Sequence, residues 1–175
     1  MLAIDFITAF GRLLRDGNLR DVFALNPQHA GRQIYLRESD LPAWLQLDPA
    51  DVEFQAEVLL RKRLDLVKWF APETCRRLDK KLWPVFRQFA RGNWPPEGGA
   101  KLSDTLLFCQ HLRRQLPGAV AASEWNRLDF AHSKRRLGLR WVQIPTAKMS
   151  TRRGLQFFIR GRSQRWWEFF LYLGV

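Results

Sequence analysis

The sequence predicts an α+β protein, in which a helical N-terminal body of about five to six helices precedes a small C-terminal antiparallel sheet of three strands. Apolar residues recur at helical spacing up to residue 116, whereas the last forty residues show alternation of period two. The length of 175 residues and the hydrophobic content of 46% suit one packed domain. We therefore divide the chain into a helical body, residues 1–125, and a basic β region, residues 126–175, packed on that body.

The first helices are predicted from apolar spacing and from residues that begin or end helices. Residues 6–14 give a first helix that Gly17 is placed to end, and Asn18 is placed to cap a second helix. Asn26-Pro27 stops this second helix. Residues 28–38 show no clear period and are predicted to be a loop.

Further helices follow in the middle of the chain. Asp48-Pro49 is a strong start signal, because Asp caps helices and Pro fits their first position. Pro72 opens the next helix, and Ser103-Asp104 is placed to cap the one after it. The predicted helical ranges are 48–70, 72–92, 103–116 and 119–130.

Three β-rich runs occupy the C-terminal region. Residues 137–145 alternate in hydropathy, residues 155–160 form a second run, and residues 165–173 form a third. The gap at 161–164 contains Gly and predicts a hairpin turn. We expect the first run to join this hairpin as a meander, with residues 146–154 as the connection.

The charge is concentrated in this region. Residues 126–175 carry eleven basic and two acidic residues, a net charge of +9, whereas the net charge of residues 1–125 is +3. Such asymmetry indicates an anionic or backbone-presenting partner. We predict that the sheet has a basic face and that its apolar side chains pack in the core, among them Phe157, Ile159, Phe169 and Leu171.

Two functions suit a basic sheet, beside the simple alternative of a solvated charged face. An edge strand could accept an extended peptide through main-chain hydrogen bonds. Alternatively, arginines could contact phosphates while tryptophans stack on bases, which would make the chain a nucleic-acid-binding protein. The candidate peptide-binding residues are Arg136, Leu137, Leu139, Arg140, Trp141, Arg152, Arg153, Arg160, Arg162, Arg165 and Trp166.

The sequence offers no catalytic set and no metal site. His29, His111 and His132 are far apart in sequence, and no cysteine pair has zinc spacing. Cys75 and Cys109 lie in apolar helical patterns, which favours buried thiols. We expect no cofactor on this chain. The absence of a long apolar run and of a signal-peptide pattern predicts a cytoplasmic protein without a membrane span.

Residues 57–116 resemble a known family. A helix carrying Leu60-Arg61-Lys62-Arg63 leads into Ala71-Pro72-Glu73-Thr74-Cys75, a second helix carries Trp83-Pro84-Val85-Phe86, and Trp94-Pro95 precedes another apolar helix. This arrangement resembles the helical module in partner proteins of multinuclear non-heme iron-dependent oxidative enzymes. With the C-terminal β region added, it is most similar to the small partner subunit of methanobactin biosynthesis.

The resemblance implies a non-catalytic subunit that pairs with a barrel-fold iron enzyme and helps to bind the leader of a ribosomally made precursor peptide. The iron would belong to the partner enzyme, which would oxidise cysteines of the core peptide to oxazolone–thioamide groups. The resemblance also makes Arg61, Arg63, Trp83 and Trp94 candidates for the partner interface. The residues alone favour a solvated surface for these arginines and packing positions for the two tryptophans.

Overall fold

The computed structural model describes residues 2–95, 100–145, 151–163 and 165–172, and it confirms the predicted α+β class. The α-helices are α1 Phe6–Arg15, α2 Gly17–Leu25, α3 Pro27–Gln33, α4 Leu41–Leu45, α5 Pro49–Phe70, α6 Pro72–Leu78, α7 Leu82–Arg91, α8 Ala100–Gln115 and α9 Ala122–His132. The strands are β1 Leu137–Pro145, β2 Thr151–Arg160 and β3 Trp166–Tyr172.

Contacts within the chain group its residues into two compact units. The first unit contains residues 1–65 and 83–95, and the second contains residues 66–82 and 96–175. The division falls within α5, so this helix contributes to both units. The boundary that we predict at residue 125 falls within α9, and the division into a helical body and a β region stays a prediction.

The first unit has a core built from α1 to α4 and the start of α5. Phe23 and Trp44 are buried at its centre, with ring centroids 5.1 Å apart in an edge-to-face arrangement. The indole Nε1 of Trp44 donates to the carbonyl of Pro27 at 2.8 Å, which satisfies the polar atom of this buried side chain.

The predicted boundary between the first two helices is wrong. α1 ends at Arg15, and Asp16 rather than Asn18 caps α2, accepting hydrogen bonds from the main-chain N of Asn18 and Leu19. Gly17 is the first residue of α2 and is buried. A Cβ atom at this position would collide with the side chain of Arg91, so the glycine is required for close packing and not for ending a helix.

The loop predicted over residues 28–38 is also wrong in its first part, because residues 27–33 form α3. Pro27 occupies the first turn and Asn26 accepts from the main-chain N of His29 at 2.9 Å. The dipeptide that stops α2 therefore also starts α3. The short helix lacks an apolar period that sequence inspection could detect.

The helix predicted over residues 72–92 is interrupted. α6 ends at Leu78, and a 3₁₀ turn, Asp79–Lys81, separates it from α7. Asp79 has a φ of 45°, which is unfavourable for a residue with a side chain and breaks the helical path. α8 begins at Ala100, ahead of the predicted cap at Ser103-Asp104.

The helical part of the second unit is fixed by a buried carboxylate. Glu124 of α9 accepts hydrogen bonds from the main-chain N of Glu73 at 2.6 Å and of Thr74 at 2.8 Å. The Oγ1 of Thr74 accepts in turn from the main-chain N of Ala121 at 3.0 Å. A side chain of α9 thus caps the first turn of α6, where unpaired N–H groups and the helix dipole favour a negative charge.

The sheet of the second unit is a meander in the order β1-β2-β3, with both pairs antiparallel, as predicted. β2 begins at Thr151, four residues before the predicted start. The predicted turn lies between β2 and β3, with Gln164 outside the described residues, and residues 146–150 of the first connection also lie outside them. α9 packs on one side of this sheet, where the rings of Phe130 and Phe158 stack at 4.8 Å.

Candidate docking surface on the β-sheet

The two faces of the sheet have opposite environments. The face toward α9, which we call the inner face, carries polar and apolar residues, among them Gly138, Val142, Gln156, Phe158, Glu168 and Phe170. Phe158 is only 1% exposed and Val142 only 4%. A Cβ atom on Gly138 would lie 3.0 Å from a ring carbon of Phe130, so a glycine permits the close approach of α9 and β1. The inner face is the side that the folded chain buries.

Polar side chains on this buried face satisfy one another. Arg127 of α9 contacts both carboxylate oxygens of Glu168, with Nε to Oε2 at 2.7 Å and an amino nitrogen to Oε1 at 3.3 Å. The Nε2 of Gln156 donates to Glu168 at 2.6 Å and to the carbonyl of Ser123 at 2.9 Å. Asn126 donates to the Oε1 of Gln156 at 3.1 Å. These bonds satisfy the polar side chains that the sheet buries.

The outer face, on the opposite side, is apolar. Its side chains come from alternate residues of each strand and align across the strands in three rows of three. The rows are Leu137–Ile159–Trp167, Leu139–Phe157–Phe169 and Trp141–Leu155–Leu171. Leu155 and Phe157 of the central strand are half-buried, whereas the other seven are exposed, Leu137 to 71% and Trp141 to 66%.

The prediction of a basic face over an apolar core is therefore wrong for this sheet. Ile159, Phe169 and Leu171 are exposed on the outer face, and Phe157 is half-buried there. The predicted alternation agrees with the register, but the apolar residues lie on the outer face and not in the core. The polar inner residues Gln156 and Glu168 carry no sequence signal of burial, since their partners come from α9.

The exposed arginines in and next to the strands lie mainly at the two ends of the outer face. Arg153 is exposed opposite Gln143, one row beyond Trp141. The opposite end holds residues that flank the strands at the row of Leu137. These are Arg135, Arg136, Arg162 and Arg165, all exposed.

Three other predicted binding residues have different surroundings. Arg160 is half-buried and donates to the carbonyls of Phe130 at 2.7 Å and Ser133 at 2.5 Å, so it stabilises the C-terminal end of α9. Trp166 is half-buried beside Phe130, with ring centroids 6.1 Å apart. Arg140 is exposed on the inner-face side of β1.

Arg152, another predicted binding residue, lies in β2 opposite Ile144.

Six residues of the outer face are not among the candidate binding residues predicted from the sequence. They are Leu155, Phe157, Ile159, Trp167, Phe169 and Leu171. The signal that could have identified them is the register fixed by the short hairpin, because it aligns alternate apolar residues of β2 and β3 in rows.

The four interface candidates of the helical region lie in the first unit as two cation–π pairs. The guanidinium of Arg61 lies 4.5 Å from the ring centroid of Trp83, and Arg61 is exposed. Arg63 is only 7% exposed, lies 4.6 Å from the ring centroid of Trp94 and donates to the carbonyl of Asn93 at 2.7 Å. Arg63 therefore packs inside the unit at the end of α7, whereas Arg61 is accessible.

The two cysteines are free and buried in the second unit. Burial, with a smaller contribution from the charge of Glu124, raises the pKa of Cys75 to about 11 and that of Cys109 to about 12. Both thiols are therefore protonated at neutral pH and poor nucleophiles. Among the described residues, no group of three or more His, Cys, Asp or Glu side chains could hold a metal ion.

No helix in the described part of the chain is long and apolar enough to cross a membrane. No curated protein and no solved structure shows significant similarity to the chain. A family model described as SCO6045-like, C-terminal domain, matches residues 37–114, which run from just before α4 to near the end of α8. The match ends before the sheet begins. Over residues 37–114 the chain is similar to SCO6045-like C-terminal domains.

Proposed function

We propose that this chain is the non-catalytic partner subunit of an iron-dependent oxidase that modifies cysteines of a ribosomally made precursor peptide. The chain would form a cytoplasmic heterodimer with the oxidase and bind the leader of the precursor as an added strand. One observation carries this proposal: β1 and β3 are edge strands, each paired only with β2 in the described residues. The most specific part of the proposal is that the product is methanobactin-like, and this part rests on the sequence resemblance.

Strand addition uses the main chain of an edge. In an antiparallel pair, alternate residues direct their N–H and C=O groups away from the neighbouring strand, so every second residue of β1 or β3 can bond a peptide. The leader side chains would then alternate between the two faces of the sheet. Those on the outer face would lie beside Leu137, Leu139 and Trp141 if β1 is the accepting edge.

A cavity beside β1 supports this edge. It has a volume of about 550 Å³ and is lined by Ala122, Trp141, Val142, Gln143 and Arg153. The combination of an indole and a guanidinium suits an apolar residue next to an acidic one in the leader. We therefore expect a leader with alternating apolar residues and at least one carboxylate.

The proposal assigns oxidation to the partner enzyme and leader binding to this chain, for a chemical reason. Oxidation of cysteine requires a redox centre, which the proposal assigns to the iron of the partner enzyme. The raised pKa values of Cys75 and Cys109 support keeping these thiols out of the reaction. The role of this chain would be to hold the leader so that the core peptide reaches the partner.

The test is co-purification of the tagged full-length chain from the source cell. Mass spectrometry would identify the bound protein, elemental analysis would measure its metal, and a peptide search would detect a precursor. The proposal expects a stoichiometric iron protein and a precursor peptide that is modified only by the reconstituted pair. A complex without iron, or a precursor modified equally well by the partner alone, would overturn it.

A nucleic-acid-binding protein is the second candidate, and the exposed aromatic residues favour it. Trp141, Trp167 and Phe169 present their side chains on the outer face, with arginines at its ends. Single-stranded nucleic acids bind such surfaces by stacking on aromatic rings and by phosphate contacts. This candidate predicts an affinity for a single-stranded oligonucleotide that falls steeply with salt, whereas an added strand would depend on the sequence of one peptide.

A further inference from the structure

We propose that the outer face of the sheet is a docking surface for a protein whose contact patch is apolar at its centre and acidic at its rim. The three rows defined above supply the apolar centre, and the arginines at their ends supply the complementary charge. The proposal concerns the face of the sheet, whereas strand addition concerns its edge. It rests on the proposed function only in naming the oxidase subunit as this protein.

The distribution of residues between the two faces is the first argument. A sheet normally buries its more apolar side, yet here the face that α9 covers mixes Gln156 and Glu168 with Val142, Phe158 and Phe170, while all nine outward-facing side chains of the three rows are apolar. A contiguous exposed apolar patch of this kind is typical of an interaction site. The alternating pattern of the sequence is thus explained if the outer face is buried in a complex.

The kinds of side chain favour a protein over a nucleic acid. Five of the nine are Leu or Ile, and the central row consists of Leu139, Phe157 and Phe169. Nucleic-acid platforms depend on aromatic rings for stacking and on cations near the phosphates. The aliphatic members offer no ring for stacking, whereas they suit the packed centre of a protein interface.

The charge at the ends of the face selects the chemistry of the partner. Arg153 lies beyond one end, and Arg136, Arg162 and Arg165 flank the other. Pairing two copies of this chain through the face would bring together two regions that each carry a net charge of +9 over residues 126–175. Like charges at a rim disfavour such a pair, whereas carboxylates on a different protein would be attracted.

The test begins with the protein that co-purifies with the wild-type full chain, which is then produced separately. Its affinity is measured for four forms of the chain: wild type, the double variant Leu139→Ala/Phe169→Ala, the charge reversal Arg153→Glu, and Phe54→Ala. Phe54 is an exposed aromatic residue of α5 in the first unit and is not part of the sheet, so it serves as the matched control. Circular dichroism and melting temperature verify that each variant is folded.

The proposal expects the double variant to weaken the complex at least a hundredfold and Arg153→Glu at least tenfold, while Phe54→Ala changes it less than twofold. Replacing an acidic residue of the partner by Lys should restore binding of Arg153→Glu. Stopped-flow measurements of binding at rising salt should show that Arg153→Glu acts mainly on the association rate.

The outcomes separate this inference from the proposed function. An iron protein that binds the double variant as tightly as wild type leaves the function standing and overturns the docking surface. A protein without iron whose binding is lost in the double variant supports the docking surface and overturns the proposed function. A wild-type homodimer that the double variant abolishes, an oligonucleotide that competes for the face, or a wild-type chain that captures no protein would each overturn the docking surface.

Discussion

Arg127 of α9 and Glu168 of β3 form an ion pair, with Nε and Oε2 2.7 Å apart, on the face of the sheet that the chain buries. Gln156 donates to the same carboxylate at 2.6 Å, so Glu168 links the helix to two strands. The pair explains how polar side chains can lie inward beside Val142 and Phe158. The charges and amides on this face satisfy one another, whereas the side chains of the outer face are apolar and need no such partners.

Removal of this carboxylate is expected to destabilise the sheet. Glu168→Ala leaves the donors of Arg127 and Gln156 without their acceptor, and we expect the free energy of unfolding to fall by about 2 kcal/mol. Urea unfolding measures this change. Arg136→Ala, which removes an exposed arginine before β1, is the control and should change stability by less than about 0.5 kcal/mol.

A double-mutant cycle with Arg127→Met and Glu168→Met isolates the interaction. The two single variants should together cost more than the double variant, with a coupling energy of about 1–2 kcal/mol. Additive losses would contradict the view that this pair holds α9 on the sheet.

The two faces of the sheet make a direct comparison possible, because Phe158 and Phe169 are both phenylalanines of the same sheet. Phe158 is 1% exposed against α9, and Phe169 is 53% exposed on the outer face. Phe158→Ala should cost about 3–5 kcal/mol because it opens a cavity, whereas Phe169→Ala should cost about 1 kcal/mol or less. Equal losses of stability in urea unfolding would show that the free chain covers its outer face.

Sequence reasoning recovered the elements of the sheet because local signals specify them. The alternation over residues 137–145 and the glycine-containing turn before β3 both depend on neighbours in the chain. The side of the sheet that is buried depends on α9, whose Asn126 and Arg127 provide partners for Gln156 and Glu168. Hydropathy alone therefore predicts that Ile159 and Phe169 lie in the core, whereas the structure exposes both.

In the helical region, too, local sequence signals predict some features, whereas other features depend on contacts between residues far apart in the chain. The start of α5 at Pro49 follows from a local signal, and the structure agrees with it. The interruption at Asp79 does not, because no local sequence signal predicts a positive φ at a residue other than glycine. Along the sequence Arg63 is one of several helical cations, and its burial against Trp94 depends on a contact between residues far apart in the chain.

The carboxylate of Glu53 gives the first unit a defined pH dependence. Burial raises the pKa of Glu53, but the hydrogen bond and charge of Arg20 and the charges of Arg91 and Arg87 outweigh it, so the pKa lies below 4.5. A lowered pKa in the folded state contributes stability above the unfolded pKa, and this contribution disappears as the pH falls through the folded value.

We expect Glu53→Gln to reduce the free energy of unfolding at pH 7 by up to about 1 kcal/mol, a modest figure because the side chain is partly exposed. The difference from wild type should shrink as the pH is lowered below 4.5. Urea unfolding at pH 7, 5 and 3 measures it, with Glu38→Gln as the exposed control. A difference that is constant with pH would assign the loss to packing and not to charge.

The buried thiols should be inert in the folded chain. Since burial raises the pKa of Cys75 to about 11 and that of Cys109 to about 12, almost no thiolate exists at pH 8. We expect a disulfide reagent such as DTNB to react with both at least about 100-fold more slowly than in denaturant, because reactivity follows the thiolate and its exposure. Ser163→Cys, in the exposed turn before β3, supplies an accessible thiol as the control and should react at the denatured rate. Rapid labelling of Cys75 or Cys109 in the native chain would contradict their burial and would reopen a redox role for them.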